Sequence, residues 1–266
     1  MVFATDWPPP GSTALTEEPV MYIGPDSIGL VQHAPRFRTE RILDLCCGSG
    51  VQGIAAAALR GGNARVTCVD INPRAVRFAR FNAALNGLDS RRFRAAVGDL
   101  YGAEAQGQGF PLPRAADGAP SSSYDLILAN PPFVPVPPRL GRAKRRYDGF
   151  AYGGASGEEV LSRIFCEAVE RLRPGGVLAD VTELANPRDF GAKLGRWIVA
   201  PPRPDGRAVP GACHGCEAVV FHEERLWSAA EYSAKRAGSE KEARGWAGHL
   251  DLVGIEEMAP GFIFVR

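Results

Sequence analysis

Four acidic or amide side chains close apolar runs in this 266-residue chain: Asp44, Asp70, Asp99 and Asn130. Such groups at strand ends could grip the hydroxyls and amines of a ligand. The segment Asp44-Leu45-Cys46-Cys47-Gly48-Ser49-Gly50-Val51-Gln52-Gly53 sets a G-x-G-x-x-G between a predicted strand and a predicted helix. Glycines there let a ligand approach the backbone and meet the first helix amides. Asp70 lies twenty residues past Gly50, at the end of the next strand, where a carboxylate can accept both hydroxyls of a ribose. In Gly98-Asp99-Leu100, after the third strand, Asp99 can accept from an adenine amino group. Turn and acids together describe a pocket for an adenosine-bearing cofactor, flanked by Cys46, Ile71 and Leu100.

Asp44 discriminates between cofactors. A dinucleotide would lay a pyrophosphate over the turn, and a buried carboxylate at the strand end would repel it. S-adenosyl-L-methionine carries no phosphate and offers an ammonium and a sulfonium, both attracted by Asp44. The runner-up is an NAD-dependent oxidoreductase built on the same turn, and Asp44 argues against it. So does Asn130-Pro131-Pro132-Phe133, which follows the fourth strand. Two prolines fix φ and remove donors, leaving carbonyl oxygens aimed outward. The Asn130 side-chain oxygen and the Pro131 carbonyl can then hold an NH₂ group, orient its lone pair and favour the positive charge developing on it. Phe133 can stack on a planar base or amide. The chemistry this implies is direct in-line transfer by positioning, with no covalent enzyme intermediate.

The elements needed to position these groups alternate. Strands are predicted at 41–45, 65–70, 93–97, 124–129 and 177–182, with helices between them and one over 158–172, stopped by Pro174-Gly175-Gly176. Beyond Ala185 the pattern gives a strand over 218–224, two short helices within 228–250 and a closing strand or hairpin over 254–265. The reading is α/β: a doubly wound, mostly parallel seven-stranded sheet, Rossmann-like, with an antiparallel strand near the C-terminus. Residues 1–40 form an N-terminal arm, loosely held over 1–19, and a lead-in helix, with Gly24-Pro25-Asp26-Ser27 feeding the helix cap; residues 41–266 form the main domain.

Composition excludes several classes. Lys and Arg number 31 against 30 Asp and Glu, a net charge of +1, so this is no wholesale polyelectrolyte binder. No apolar run approaches a membrane span, and the first residues lack an export signal, which points to a cytoplasmic protein without a membrane partner. Six cysteines in a chain this long are not a disulfide scaffold. Cys213-His214-Gly215-Cys216 has two-ligand spacing but no second pair completes a site, so no metal is expected. Cys46 and Cys47 read as small residues lining a tight loop, and the four histidines show no carboxylate partner.

The order Asp44, Gly48-Ser49-Gly50, Asp70, Asp99, Asn130-Pro131-Pro132-Phe133 resembles the class I S-adenosylmethionine-dependent methyltransferases. Within them it is similar to the branch whose N-P-P-[FY] motif serves planar nitrogens: release-factor glutamine, ribosomal RNA guanine and DNA adenine methyltransferases. The resemblance spans about Val20–Glu183, including a lead-in at Ile23–Ser27, and the whole chain looks closest to small-domain bacterial methyltransferases. It implies Asn130, Pro131, Pro132 and Phe133 as the catalytic group. It implies Asp44, Cys46, Gly48, Gly50, Asp70, Ile71, Asp99, Leu100 and Asn130 as contacts of S-adenosyl-L-methionine. The acceptor stays open between a small metabolite, an RNA base and a protein glutamine. Only 40 residues precede Arg41, where release-factor enzymes carry a helical substrate domain, which counts against a release factor. Arg139, Arg142, Lys144, Arg145 and Arg146, with Tyr147, Phe150 and Tyr152 and the run Gly153–Gly157, read as a solvated loop or as a basic lid over an anionic acceptor.

Overall fold

Runs too apolar to face water on either side become the inner strands of the sheet. The computed structural model describes residues 1–6, 19–60, 64–102, 124–138, 150–198 and 215–266. In chain order these form α1 (Pro25–His33), β1 (Arg41–Leu45), α2 (Val51–Arg60), β2 (Arg65–Asp70), α3 (Pro73–Leu85), β3 (Phe93–Val97), β4 (Tyr124–Ala129), α4 (Glu159–Arg171), β5 (Leu172–Ala185), α5 (Phe190–Ile198), β6 (Ala218–His222), β7 (Trp227–Ser228), α6 (Ala229–Arg236), α7 (Glu240–Leu252) and β8 (Glu257–Val265). The strand order is β3-β2-β1-β4-β5-β8-β6, with β7 on β8. Every pair among β1 to β5 is parallel, and β7 meets β8 antiparallel. Eight strands stand where the sequence predicts seven. The added one, β7, has two residues, too few to leave a periodic signal.

The chain divides into two compact units. The first comprises Met1–Asn130, Ala168–Val181 and Phe264–Arg266; the second comprises Pro131–Glu167 and Thr182–Ile263. In the first, β4 is buried along its whole length and β1 along its last four residues. That is the burial expected of a parallel sheet covered on both faces. Asp125 on β4 is fully buried, and its Oδ2 accepts from the Glu40 and Arg41 amides at 2.7 Å each while Arg173 pairs with the carboxylate. This carboxylate fastens the start of β1 to β4. β5 begins at Leu172, so Pro174-Gly175-Gly176 lies inside the strand rather than between elements. A register shift between Tyr124 and Leu126 accommodates it, and a Cβ on Gly176 would stand 2.7 Å from the Tyr124 carbonyl.

The first six residues are not loosely held. Asn82 on α3 and Asn86, which caps its C-terminal end, present amides that imitate a neighbouring strand. Asn86 Oδ1 accepts from the Val2 amide and Asn82 Oδ1 from the Ala4 amide, while their Nδ2 groups donate to the Val2 and Ala4 carbonyls. Asp6 adds an ion pair to Arg74 and accepts the Val20 amide. The sequence concealed this because side chains, not strand periodicity, hold the segment.

The second unit packs around Val134, Val136, Ala185, Tyr232, Trp246, Leu250, Ile255 and Met258. Asn186, left-handed at φ 49°, donates to the Gly254 carbonyl and accepts the Glu256 and Glu257 amides. Glu183 takes both the Tyr232 hydroxyl and the Arg236 guanidinium. α6 starts in a reciprocal cap between Ser228 and Glu231.

Asn82 also donates to the Ser49 carbonyl at 2.9 Å, so one buried amide joins the N-terminal segment to the glycine turn. Asn82→Ala should therefore cost about 1–3 kcal/mol, since it strands buried backbone groups. In urea unfolding the midpoint should fall with the slope unchanged; an unmoved midpoint would mean the amide holds nothing.

Candidate active site

From β1 the chain runs outward to β2 and β3, then returns past β1 to β4 and β5. Ligands in open α/β sheets bind at the carboxyl ends of strands where the order reverses. Here the reversal falls between β1 and β4, and the residues singled out in the sequence follow these strand ends.

The glycine turn is locked before any ligand arrives. The Cys47 amide donates to the Val69 carbonyl at 3.1 Å and Gly50 to Cys47 at 2.7 Å. Asp70 Oδ2 accepts the Gly48 amide at 2.8 Å, and its Oδ1 the Asn72 amide at 2.9 Å. Each oxygen keeps another lone pair, so Asp70 ties the turn to β2 and can still accept ribose hydroxyls. Burial raises its carboxyl from the ordinary range, against the pull of the two amides. Gly48 has φ 51° and open space where a Cβ would stand, whereas at Gly50 (φ 79°) a Cβ would come within 3.1 Å of Ala79. One glycine serves the turn's face and the other its packing on α3. Cys46 (φ 53°) and Leu100 (φ 50°) adopt the same left-handed backbone without being glycine. Non-glycine residues held this way concentrate where a structure must present a surface to a ligand. Beside them Ile71 exposes two thirds of its surface next to Asp70, and Asp99 lies exposed past the end of β3.

Asp44 has no exposure at all. Its Oδ2 accepts the Gly53 amide at 2.8 Å and the Cys68 thiol at 3.7 Å, while Oδ1 has no hydrogen-bond partner among the described residues. A Cβ on Gly53 would stand 2.9 Å from Oδ2, so the third glycine of the motif makes room for this acid. Burial pushes the Asp44 carboxyl up to about 8, opposed by Gly53 and Cys68. Burial likewise holds the Cys46 thiol well above its usual range; for Cys47 the hydrogen bond with Cys68 comes first, then burial. Protonated thiols are neither nucleophiles nor redox centres, so these cysteines line the turn.

At the end of β4, Asn130 Nδ2 donates to Asp26 Oδ2 at 3.3 Å and Ser27 Oγ at 3.2 Å. A carboxylate accepts only, which fixes the amide with its nitrogen toward α1 and leaves Oδ1 as the acceptor. Gly24 permits this, because a Cβ there would lie 2.6 Å from Asp26 Oδ1. The sequence marks Asp26 and Ser27 only as part of a helix cap; their grip on Asn130, roughly a hundred positions away, has no local signal. A second group it misses is Asp180 on β5, fully buried with neither oxygen hydrogen-bonded among the described residues. One acid in the apolar run Val177-Leu178-Ala179-Asp180-Val181 is the signal that could have found it.

Pro131, Pro132 and Phe133 open the second unit, where Phe133 packs half-buried against the cluster containing Tyr232 and Trp246. The Val134 amide donates to the Ala151 carbonyl and Gly153 to Val134, bridging this segment to Tyr152. Gly153 and Gly157 both lie against Phe133, and Cβ atoms on them would meet its backbone. These two glycines are therefore close-packing residues. His249 Nε2 reaches the Ala155 carbonyl at 2.7 Å. Arg139, Arg142, Lys144, Arg145, Arg146 and Tyr147 of the expected lid, with Cys213 and His214, lie outside the described residues. Among the described residues no three His, Cys, Asp or Glu side chains gather as a metal site, and no helix is long and apolar enough to cross a membrane.

A methyltransferase-domain family model matches residues 37–179, just over half of the chain, and the chain belongs to that family. More particularly, it is similar to the ribosomal protein uL3 glutamine methyltransferase of Burkholderia pseudomallei, 38% identical over 150 residues, which cover 55% of this chain and 45% of that protein. The release factor glutamine methyltransferase of Deinococcus radiodurans is 30% identical over 162 residues, 60% of this chain and 51% of that protein. The chain spans about half the length of these curated relatives. Among solved structures, a precorrin-6y C5,15-methyltransferase from Geobacter metallireducens aligns over 90% of this chain and 84% of its own at 14% identity and a TM-score of 0.40.

Asp44 makes stability depend on pH. Its carboxyl titrates near 3.8 when unperturbed and at about 8 in the folded protein. Between these values the folded state keeps a proton that the unfolded chain has lost. Stability therefore falls as pH rises through that window, by about 1.4 kcal/mol per pH unit for each such proton, and levels off above it. Asp70 and Asp180 are raised too and add to the slope. Asp44→Asn should remove one proton's share, read from denaturant unfolding across the window; identical slopes would show that Asp44 ionises normally.

Proposed function

We propose that this chain is a cytoplasmic S-adenosyl-L-methionine-dependent methyltransferase that methylates the side-chain amide nitrogen of a protein glutamine. The observation that carries the reading is Asn130, whose amide is turned by Asp26 and Ser27 so that its oxygen is the group on offer. The relatives named as glutamine methyltransferases support the acceptor class. The cofactor fits the donor set, because the partnerless Oδ1 of buried Asp44 favours a cation and disfavours a pyrophosphate.

Asp44, Cys46, Gly48, Gly50, Asp70, Ile71, Asp99, Leu100 and Asn130 would hold the cofactor, which supplies an electrophilic methyl group on a cationic sulfur. Asp70 binds the ribose hydroxyls with the lone pairs that Gly48 and Asn72 leave open. Ile71 covers an apolar ring face, and Asp99 accepts from the exocyclic amine. Asn130 Oδ1 and the Pro131 carbonyl accept from the glutamine NH₂. Those bonds align the nitrogen lone pair and strengthen as positive charge grows on it. Phe133 supports the plane of the amide.

Titration calorimetry should show micromolar binding of S-adenosyl-L-methionine and none of NAD; the reverse would sink the reading. Asp70→Ala should weaken cofactor affinity by about tenfold or more, since it removes the ribose acceptors and the tie to Gly48. Asn130→Ala should instead lower kcat by about 10²–10³ and weaken cofactor binding far less than Asp70→Ala does, because its lost contact is chiefly to the acceptor nitrogen. Fragmentation mass spectrometry of proteins incubated with enzyme and cofactor should find the methyl on a glutamine nitrogen. Label in RNA or in small molecules alone would overturn the acceptor.

A further inference from the structure

Among its described residues the first unit contains three fully buried aspartates, and two of them, Asp125 and Asp180 on the neighbouring strands β4 and β5, are treated in opposite ways. Asp125 accepts two backbone amides and pairs with Arg173. Asp180 has no hydrogen-bond partner on either oxygen among the described residues. A buried carboxyl is normally kept only with partners, because leaving it bare costs its full desolvation. Asp125 meets that rule at one end of the strands, and Asp180 breaks it at the other.

The broken end is the ligand edge. In register Asp180 stands opposite Ala129, the residue before Asn130, and Ala129 stands opposite Leu45, the residue before Cys46. Asp180 is thus level with the last residues of β4 and β1, one position before Asn130 and Cys46, while β5 itself runs on to Ala185. Asp180 lies near enough to the Cys46 thiol to couple to it electrostatically, as do Asp70 and Asp44. Asp44 contributes a further bare oxygen, Oδ1. The titratable group coupled to Asp180 across β4 is the Cys46 thiol, which Cys47, Asp44 and Asp70 also influence. On its own strand Glu183 is taken up by Tyr232 and Arg236, and Arg173 by Asp125. None of these is a free cation. Burial keeps the Asp180 carboxyl well above the usual carboxylate range, hence neutral, while nothing offsets its charge.

On the cofactor reading given above, we propose that Asp180 supplies the counter-charge to the cationic methionine end of S-adenosyl-L-methionine, releasing its own proton to solvent when that cation arrives. The balance is one carboxyl O–H bond broken, one carboxylate formed beside a positive ligand and one proton passed to bulk water. Affinity for the cofactor is then linked to pH, and the site selects positive ligands over neutral ones of the same shape.

Calorimetry of Asp180→Asn in two buffers of different protonation heat tests this. Asparagine matches the neutral acid in shape, so the ligand-free variant should unfold at the wild-type midpoint or above. It should bind S-adenosyl-L-methionine about tenfold more weakly or worse and release about one proton fewer than the wild type. S-adenosylhomocysteine, which lacks the sulfonium charge, locates the contact: a loss confined to S-adenosyl-L-methionine assigns Asp180 to the sulfonium, and a loss shared by both assigns it to the ammonium. Wild-type affinity with an unchanged proton count overturns the proposal. A wild-type protein that binds neither ligand overturns the cofactor reading itself. Should the variant fail to fold, the wild-type pH profile decides. Affinity that rises with pH, with more protons released than the raised Asp44 and Asp70 carboxyls supply, that is more than two, upholds the role; two or fewer overturn it.

Discussion

The hydrogen bond from the Gly53 amide to Asp44 Oδ2 sets the geometry on which the ligand edge depends. It draws an amide in the first turn of α2 onto the end of the central strand, so β1 and the helix leave the turn at a fixed angle. A carboxylate near a helix N-terminus is favourable in itself. Here the same contact consumes one oxygen and leaves the other bare in a buried place. The turn between them is then closed from outside by Asp70 through the Gly48 amide and braced from behind by Asn82 on the Ser49 carbonyl. Three side chains from three elements therefore hold one stretch of backbone in place.

Much of this was legible because parallel strands announce themselves. β1, β2, β3 and β4 are short apolar runs with an acid or amide at or just past their ends, and the structure buries them with little shift of boundary. The glycine motif and its distance to Asp70 are local in sequence and are met by local bonds. Long-range relations were not legible. Nothing local marks Asn82 and Asn86 as anchors, yet they hold Val2 and Ala4 through side-chain amides that leave no periodic trace. Asp26 and Ser27 read as capping residues, yet their partner is Asn130. The two-residue β7 lies below what alternation can register, and Pro174-Gly175-Gly176 reads as a break although β5 runs through it. In each case tertiary partners overrode a correct local preference.

The second unit shows a different economy. Its glycine run packs against Phe133 at Gly153 and Gly157, with Ala155 tied to His249. A sequence rich in glycine suggests hinge motion, but glycine serves equally where two backbones must touch. The packed cluster around Tyr232 and Trp246 draws on α6 and α7, with β5 and β8 supplying further members. The segment after Asn130 is thus built on the C-terminal part of the chain.

The anchoring of Asn130 restricts which residue can stand there. Asn130→Asp would keep the shape and offer more acceptor capacity, yet it would bring a second carboxylate within hydrogen-bonding distance of Asp26, where the amide nitrogen now sits. Two acids so close cannot both ionise, and one would stay protonated or turn away. The identity of the residue at the end of β4 is therefore written into α1. A change at either place removes a hydrogen-bond partner at the other, which ties the lead-in helix to the start of the Asn-Pro-Pro-Phe turn.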